Sequence, residues 1–144
     1  MTLIVCEIAE AVEADRKDSH ANLAEYEEMP NDISFIINMK DTVEDELADV
    51  CIRTLDFIGL KGYEIPNDID AHIRHSTLIK EYYLSEGFSS AVCQLAKCAL
   101  LGVITQLLAD IFSLCEVMHI DILRHIQLKM EYNRTRPRLH GKKY

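Results

Sequence analysis

The sequence predicts an all-α helical bundle. Only five glycines and three prolines interrupt its 144 residues. Runs with alternating apolar and polar residues are scarce, and apolar residues recur instead at three- and four-residue steps, the period of a helix face. With 49% hydrophobic and 27% charged residues, one domain spanning 1–144 has enough apolar material for a core of its own.

Residues 2–17 make the first predicted helix. Residues 18–31 are polar, lack a sustained apolar face and end in Met29, Pro30 and Asn31, so they read as an acidic loop. Val43, Leu47, Val50, Cys51, Leu55 and Ile58 then share one helical face, which Gly59 and Gly62 close, giving a second helix over 41–58. Pro66, Asn67 and Asp68 start a third, with Ile69, Ile73 and Leu78 on its inner side, and it stops around 85–87. Residues 88–117 supply either one long helix or two joined near Gly102, and Asp121 opens a last helix through Tyr132. The tail TRPRLHGKKY is basic and reads as extended.

The bulk numbers exclude several function classes. A formal charge of −9 opposes a general affinity for phosphate backbones, so nucleic acid is not an expected partner. Five cysteines, an odd number without a CxxC, sit mostly beside apolar residues and read as buried, reduced thiols of a cytoplasmic protein. Glu7 interrupts the first apolar run too early for a secretory signal. Residues 89–109 are long enough to cross a bilayer, but Lys97 lies near their middle. A central lysine costs about 2.5–3.5 kcal/mol on insertion, and Gln94, Gln106 and Gly102 weaken a span further, so the expectation is a buried helix or helix pair.

The chain also carries an internal echo. VCEIAE at 5–10 is similar to VCQLAK at 92–97, LADV at 47–50 to LADI at 108–111, and DIDAHI at 68–73 to DILRHI at 121–126, in the same order. Short matches between amphipathic helices also arise by chance. Read as a duplication, the second copy has Gln94 for Glu7, Lys97 for Glu10 and Leu107 for Glu46, and keeps an acid only at Asp110, in place of Asp49.

Residues three apart share a helix face, so Glu7 with Glu10 forms one carboxylate pair and Glu46 with Asp49 another, each among apolar neighbours. Four carboxylates brought together in such a setting repel unless cations hold them. A divalent ion resolves that conflict, and an all-oxygen ligand set suits Mg²⁺, or Mn²⁺, better than zinc. Each pair alone is weak, since helical glutamates are commonly solvated, and Arg53 has the spacing to bridge Asp49 and Asp56 instead. Near the end of the chain Lys129, Asn133 and Arg136 follow a four-then-three spacing that places them on one face, suited to phosphate oxygens. The plainer alternative is that they complement the helix dipole.

EIAE at Glu7 and Glu10 with ELAD at Glu46 and Asp49, set in EIAEAVEADRK, KDTVEDELADVCIRTLDF and KMEYNRTRPRLHGKKY, resembles the all-α nucleoside triphosphate pyrophosphohydrolases of the MazG type. The resemblance implies a MazG-type helical bundle that cleaves a nucleoside triphosphate, ribo or deoxyribo, between its α and β phosphates. In that picture Glu7, Glu10, Glu46 and Asp49 hold Mg²⁺, Glu7 helps deprotonate the attacking water, and Lys129, Asn133 and Arg136 bind phosphate. It further implies that an incomplete bundle pairs into a homodimer, whereas a degenerate second half, carried in the insertion at 70–118, would supply the missing helices within one chain.

Two other readings compete. Such enzymes usually have a further helix before ExxE, while here Glu7 follows Met1 closely, which fits a catalytically impaired module that binds a nucleotide or a protein partner. Glu116 and His119 form one ExxH, but a carboxylate-bridged di-iron bundle needs two. His72 and His75 lack an acidic partner of that kind and are expected to be exposed.

Overall fold

In the computed structural model, which describes residues 1–136, every regular element is a helix, as the periodicity predicts. The basic tail from residue 137 onward lies outside the described residues. Helix α1 (Thr2–Arg16) turns Ile4, Ile8, Ala11 and Ala14 inward. They pack along the longest helix, α4 (Val43–Lys61), whose own stripe includes Val43, Leu47, Val50 and Cys51. Thr42 caps α4 by accepting from the Asp45 backbone N–H at 3.3 Å, and Glu44, Asp45 and Glu46 place negative charge at the positive end of its dipole. Gly62, at φ 65°, ends it in the left-handed region where a side chain would be strained. Gly59 therefore lies within the helix rather than closing it. Leu55 is 38% exposed; Thr54 takes the inward place and satisfies its hydroxyl by donating to the Val50 carbonyl.

The apolar segment at 88–117 is two helices, α7 (Phe88–Leu101) and α8 (Ile104–Val117), separated at Gly102 with φ 71°. They pack on each other, α7 also on α1 and α8 also on α4. Leu95, Ala99, Leu107, Ile111 and Leu114 meet Ile8, Leu47 and Cys51 in this four-helix core. Among the described residues no helix is long and apolar enough to cross a membrane.

The third predicted helix is broken. Its parts are α5 (Ile69–His75) and α6 (Thr77–Glu86), and Ser76 between them is buried, its hydroxyl turned to Asp110 on α8. Leu78 is 45% exposed and Ile79 is buried instead, because the break resets which face points inward. Helix α5 packs on α8, while the last helix, α9 (Ile122–Thr135, capped by Asp121), packs on α4. Each of these helices thus lies against the partner of the pair it does not directly follow.

The expected loop at 18–31 also differs. It contains helix α2 (Leu23–Glu28), and α3 (Asp32–Asn38) follows directly. Asn22 and Asn31 cap the two by accepting backbone N–H groups. Their few apolar residues meet a distant element: Tyr26, Phe35 and Met39 cluster with Leu128 of α9, and Phe35 stacks on Tyr132 with ring centroids 4.3 Å apart. No local apolar stripe could reveal that packing.

Cys51, Cys98 and Cys115 are buried free thiols, but Cys6 and Cys93 are exposed, so apolar sequence neighbours misplace those two. Each sits one residue before a side chain directed at a polar cluster, on the outer face of its helix. Glu116 and His119 are both exposed, and Glu116 accepts from Lys80, which rules out an inward-facing ExxH. His72 and His75 are exposed, as expected.

Candidate metal centre

The start of α4 lies against α1, so the two carboxylate pairs face each other. Glu7, Glu10 and Glu46 bring one oxygen each to within 4.8 Å of one another. Glu7 is 8% exposed and Glu46 5%, while Glu10 lies at the open edge. A second trio, Asp41, Asp45 and Glu46, meets the same distance, so Glu46 belongs to both. Asp41 precedes α4 in a turn at φ 59°, held by its N–H donating to Asp45 Oδ2 at 3.1 Å and by the Ser19 hydroxyl donating to its carbonyl.

Three cations border the acids. Arg53 Nε donates to Glu7 Oε1 at 3.1 Å, crossing from α4 to α1 rather than bridging Asp49 and Asp56 along its own helix. Lys40 pairs with Asp41. Lys129 inserts its ammonium between Asp45 Oδ2 at 2.6 Å and Asp49 Oδ2 at 2.9 Å, with its side chain only 7% exposed. Lys129 was expected to face substrate phosphate, but here it stands among the carboxylates. Asp49 lies outside the tight glutamate trio and turns to this lysine.

Unequal compensation shows in the proton affinities. Burial raises the Glu7 carboxyl, the Asp49 charge raises it further, and Arg53 opposes both. Burial pushes Glu46 up to about 8, the Lys129 charge opposes, and Asp45, Glu10 and Asp49 add to the rise. Glu46 Oε2 is buried with no hydrogen-bond partner among the described residues. An orphaned buried carboxylate oxygen is costly, and it fits a site that expects a cation. Burial also raises Asp45 against the pull of Lys129. For Lys129 itself burial favours loss of the proton, but Asp45 and Asp49 together hold the ammonium charged.

Asn133 continues along α9 from Lys129, but Arg136 follows the end of the helix in extended backbone at ψ 148°, so the expected common helix face stops short of it. Asn133 is half-buried, and the Arg136 guanidinium stands over the Tyr132 ring at 5.4 Å from its centroid. Sequence reasoning missed Asp41 and Asp45, though Asp45 directly precedes Glu46 and Asp41 lies one helical turn before Asp45. It also missed the ion pair to Lys129, which joins residues 84 apart.

A cavity of about 470 Å³ lies elsewhere, between the α4 C-terminus and α8, lined by Ile58, Tyr63, Ile65, Ile104 and Leu108. It gathers no convergent set of acids or bases. No family model, curated protein or solved structure matches the chain.

Proposed function

We propose that the carboxylate cluster binds Mg²⁺ and that the protein hydrolyses a nucleoside triphosphate between its α and β phosphates, releasing monophosphate and pyrophosphate. The observation that carries this reading is the convergence of Glu7, Glu10 and Glu46 from two helices, with a buried Glu46 oxygen that no described side chain satisfies. Glu7, Glu10, Glu46 and Asp49 are the residues that would hold the ion, Asp49 by exchanging Lys129 for it. When bound, Mg²⁺ supplies neutralisation of phosphate charge and polarisation of the phosphorus–oxygen bonds. Mn²⁺ suits the same oxygen donors.

The chain's own groups divide the remaining work. A water attacks the α-phosphorus, the bond to the oxygen bridging the β-phosphorus breaks, and that oxygen leaves with pyrophosphate. Glu7, whose carboxyl is raised by burial and by Asp49, accepts the proton of the attacking water. Arg53 fixes the Glu7 carboxylate in place. Asn133 near the end of α9 and Arg136 just past it would contact phosphate oxygens.

The fold reading extends the same proposal: a MazG-type bundle built from a duplicated unit, with α1, α4 and α5 as one copy and α7, α8 and α9 as the other. The packing supports it, because α1 with α4 matches α7 with α8, and α9 on α4 matches α5 on α8. Side-chain correspondences support it as well. Ser76 and Lys129 occupy the same place after Asp68 and Asp121; Lys129 pairs with Asp49, and the Ser76 hydroxyl donates to Asp110. Asp45 and Gln106, each four residues before those acids, take part in the same contacts, Gln106 Nε2 donating to Asp110 Oδ1 at 2.8 Å and to the Ser76 oxygen at 3.1 Å. The second cluster closes on a serine and glutamines where the first closes on a lysine. One chain then supplies both halves, and pairing with a second copy is not needed to complete the bundle.

A second reading is a module that binds a nucleotide or protein partner without turnover, and one observation favours it: Lys129 already compensates Asp45 and Asp49 without an ion. Incubation with ribo- and deoxyribonucleoside triphosphates separates the two. The enzyme reading predicts Mg²⁺-dependent pyrophosphate release that Glu46→Gln abolishes. Nucleotide binding without product in the wild type would favour the module.

A further inference from the structure

The first ion position uses Glu7, Glu10 and Glu46 with Asp49, but those residues account for only part of the negative charge at this end of the bundle. Glu7, Glu10, Asp41, Asp45, Glu46 and Asp49 face three cationic side chains, Arg53, Lys40 and Lys129. With all groups ionised, three negative charges stay uncompensated, and a single divalent ion would leave the cluster still negative, a poor host for a triphosphate.

We infer that Asp41, Asp45 and Glu46 form a second divalent-cation site, adjoining the first and sharing Glu46 with it. The inference rests on the metal-site reading above and adds to it a second ion and two ligands outside the ExxE and ExxD pairs. Oxygens of the three residues lie within 4.8 Å of one another. Glu46 is 95% buried by its 5% exposure, and its Oε2 has no described hydrogen-bond partner at the junction of the two trios. Asp45 is 2% exposed and anchored, while Asp41 is exposed, so the trio has two fixed walls and an open side.

The turn that presents Asp41 is held by protein contacts alone. Its N–H is bound to Asp45, its carbonyl accepts from Ser19, and the Val43 N–H after it donates to the Ser19 carbonyl. The present partner of Asp41 is Lys40, in a pair whose acid is 71% exposed. Such pairs contribute little, and an ion displaces Lys40 without breaking the core. Oxygen-only donors select a hard cation, Mg²⁺ or Mn²⁺, over zinc or copper. With two ions in place and Lys40 displaced, the acids of the cluster are fully compensated, and the ions can host a polyanion, which is the form in which the site would take a triphosphate.

Mn²⁺ titration of the metal-free protein, followed by calorimetry and by electron paramagnetic resonance, tests the assignment. Wild type should bind two ions, and the pair should give a spin-coupled signal, since the two ions share a carboxylate. Asp41→Asn, a surface change checked for folding by circular dichroism, should leave one uncoupled ion. Glu10→Gln should likewise leave one, and Glu46→Gln should weaken both. A wild type that binds one ion, unaffected by Asp41→Asn, overturns the second site and leaves the single-ion reading standing. A wild type that binds no Mn²⁺ overturns both.

Discussion

Lys129 on α9 donates to Asp49 on α4 at 2.9 Å, so the acidic cluster is closed by a helix from the far end of the chain. The same ammonium reaches Asp45 at 2.6 Å. A buried lysine between two aspartates is both a structural clamp and an occupant of space that an ion would claim, and this double role governs the first prediction.

Lys129→Met keeps the length of the side chain and removes its charge. Breaking a buried ion pair by deleting one partner costs about 3–5 kcal/mol. Urea unfolding in a chelator should show a loss of that order, and added Mg²⁺ should recover part of it, because a divalent ion takes over the uncompensated Asp45 and Asp49. Equal losses with and without Mg²⁺ would show that no ion reaches these carboxylates.

Glu46 sets the pH dependence of the metal-free protein. Its ordinary value is 4.5 and its folded value about 8, so the folded state holds a proton that the unfolded state releases. Below pH 4.5 both states are protonated and the group costs nothing. As pH rises from 4.5 toward 8 the unfolded chain binds fewer protons, so stability falls across that window. Glu46→Gln should flatten this part of a stability–pH curve measured in chelator. Ion binding at pH 7 should release a proton, visible as a dependence of calorimetric heat on the buffer's ionisation enthalpy.

Asp110 on α8 is the acceptor of a separate polar cluster, where Ser76, Gln106 and Gln94 all donate to it. Asp110→Ala strands these donors in a buried site and should cost roughly 1–3 kcal/mol in urea unfolding. The number of Mn²⁺ ions bound should not change, since Asp110 lies outside both carboxylate trios. A lost ion would contradict the assignment of the ligands to the carboxylate trios of α1 and α4.

The α2–α3 hairpin depends on α9 through Phe35, which is 2% exposed and stacked on Tyr132. Phe35→Ala should cost about 3 kcal/mol. The loss should be local: amide exchange should speed up across residues 23–38 while α1 and α4 keep their protection. Uniform acceleration would mean that the hairpin and the four-helix core unfold together.

The helical class and the central helices were legible because α1, α4, α7 and α8 each carry a continuous apolar stripe, and Gly62 and Gly102 mark where two of them end. The hairpin at 23–38 was not, because Tyr26, Phe35 and Met39 find their partner Leu128 some ninety residues away. The break at Ser76 has the same origin: a buried hydroxyl seeks Asp110, and local pattern does not record that demand. At the candidate site the three-residue spacing put Glu7 with Glu10 on one helix face and Glu46 with Asp49 on another; packing brings Glu46 to Glu7 and Glu10 and leaves Asp49 with Lys129. Asp41, in a turn, and Lys129, whose reach is tertiary, became legible only in the packed structure.

The central claim is tested most directly by where the oxygen goes. The protein would be incubated with its best triphosphate substrate and Mg²⁺ in ¹⁸O-labelled water, and the products separated and weighed by mass spectrometry. The account predicts label in the nucleoside monophosphate, unlabelled pyrophosphate as the other product, and no turnover in Glu46→Gln. Label in pyrophosphate or orthophosphate, or no product from any triphosphate despite bound Mg²⁺, would contradict it.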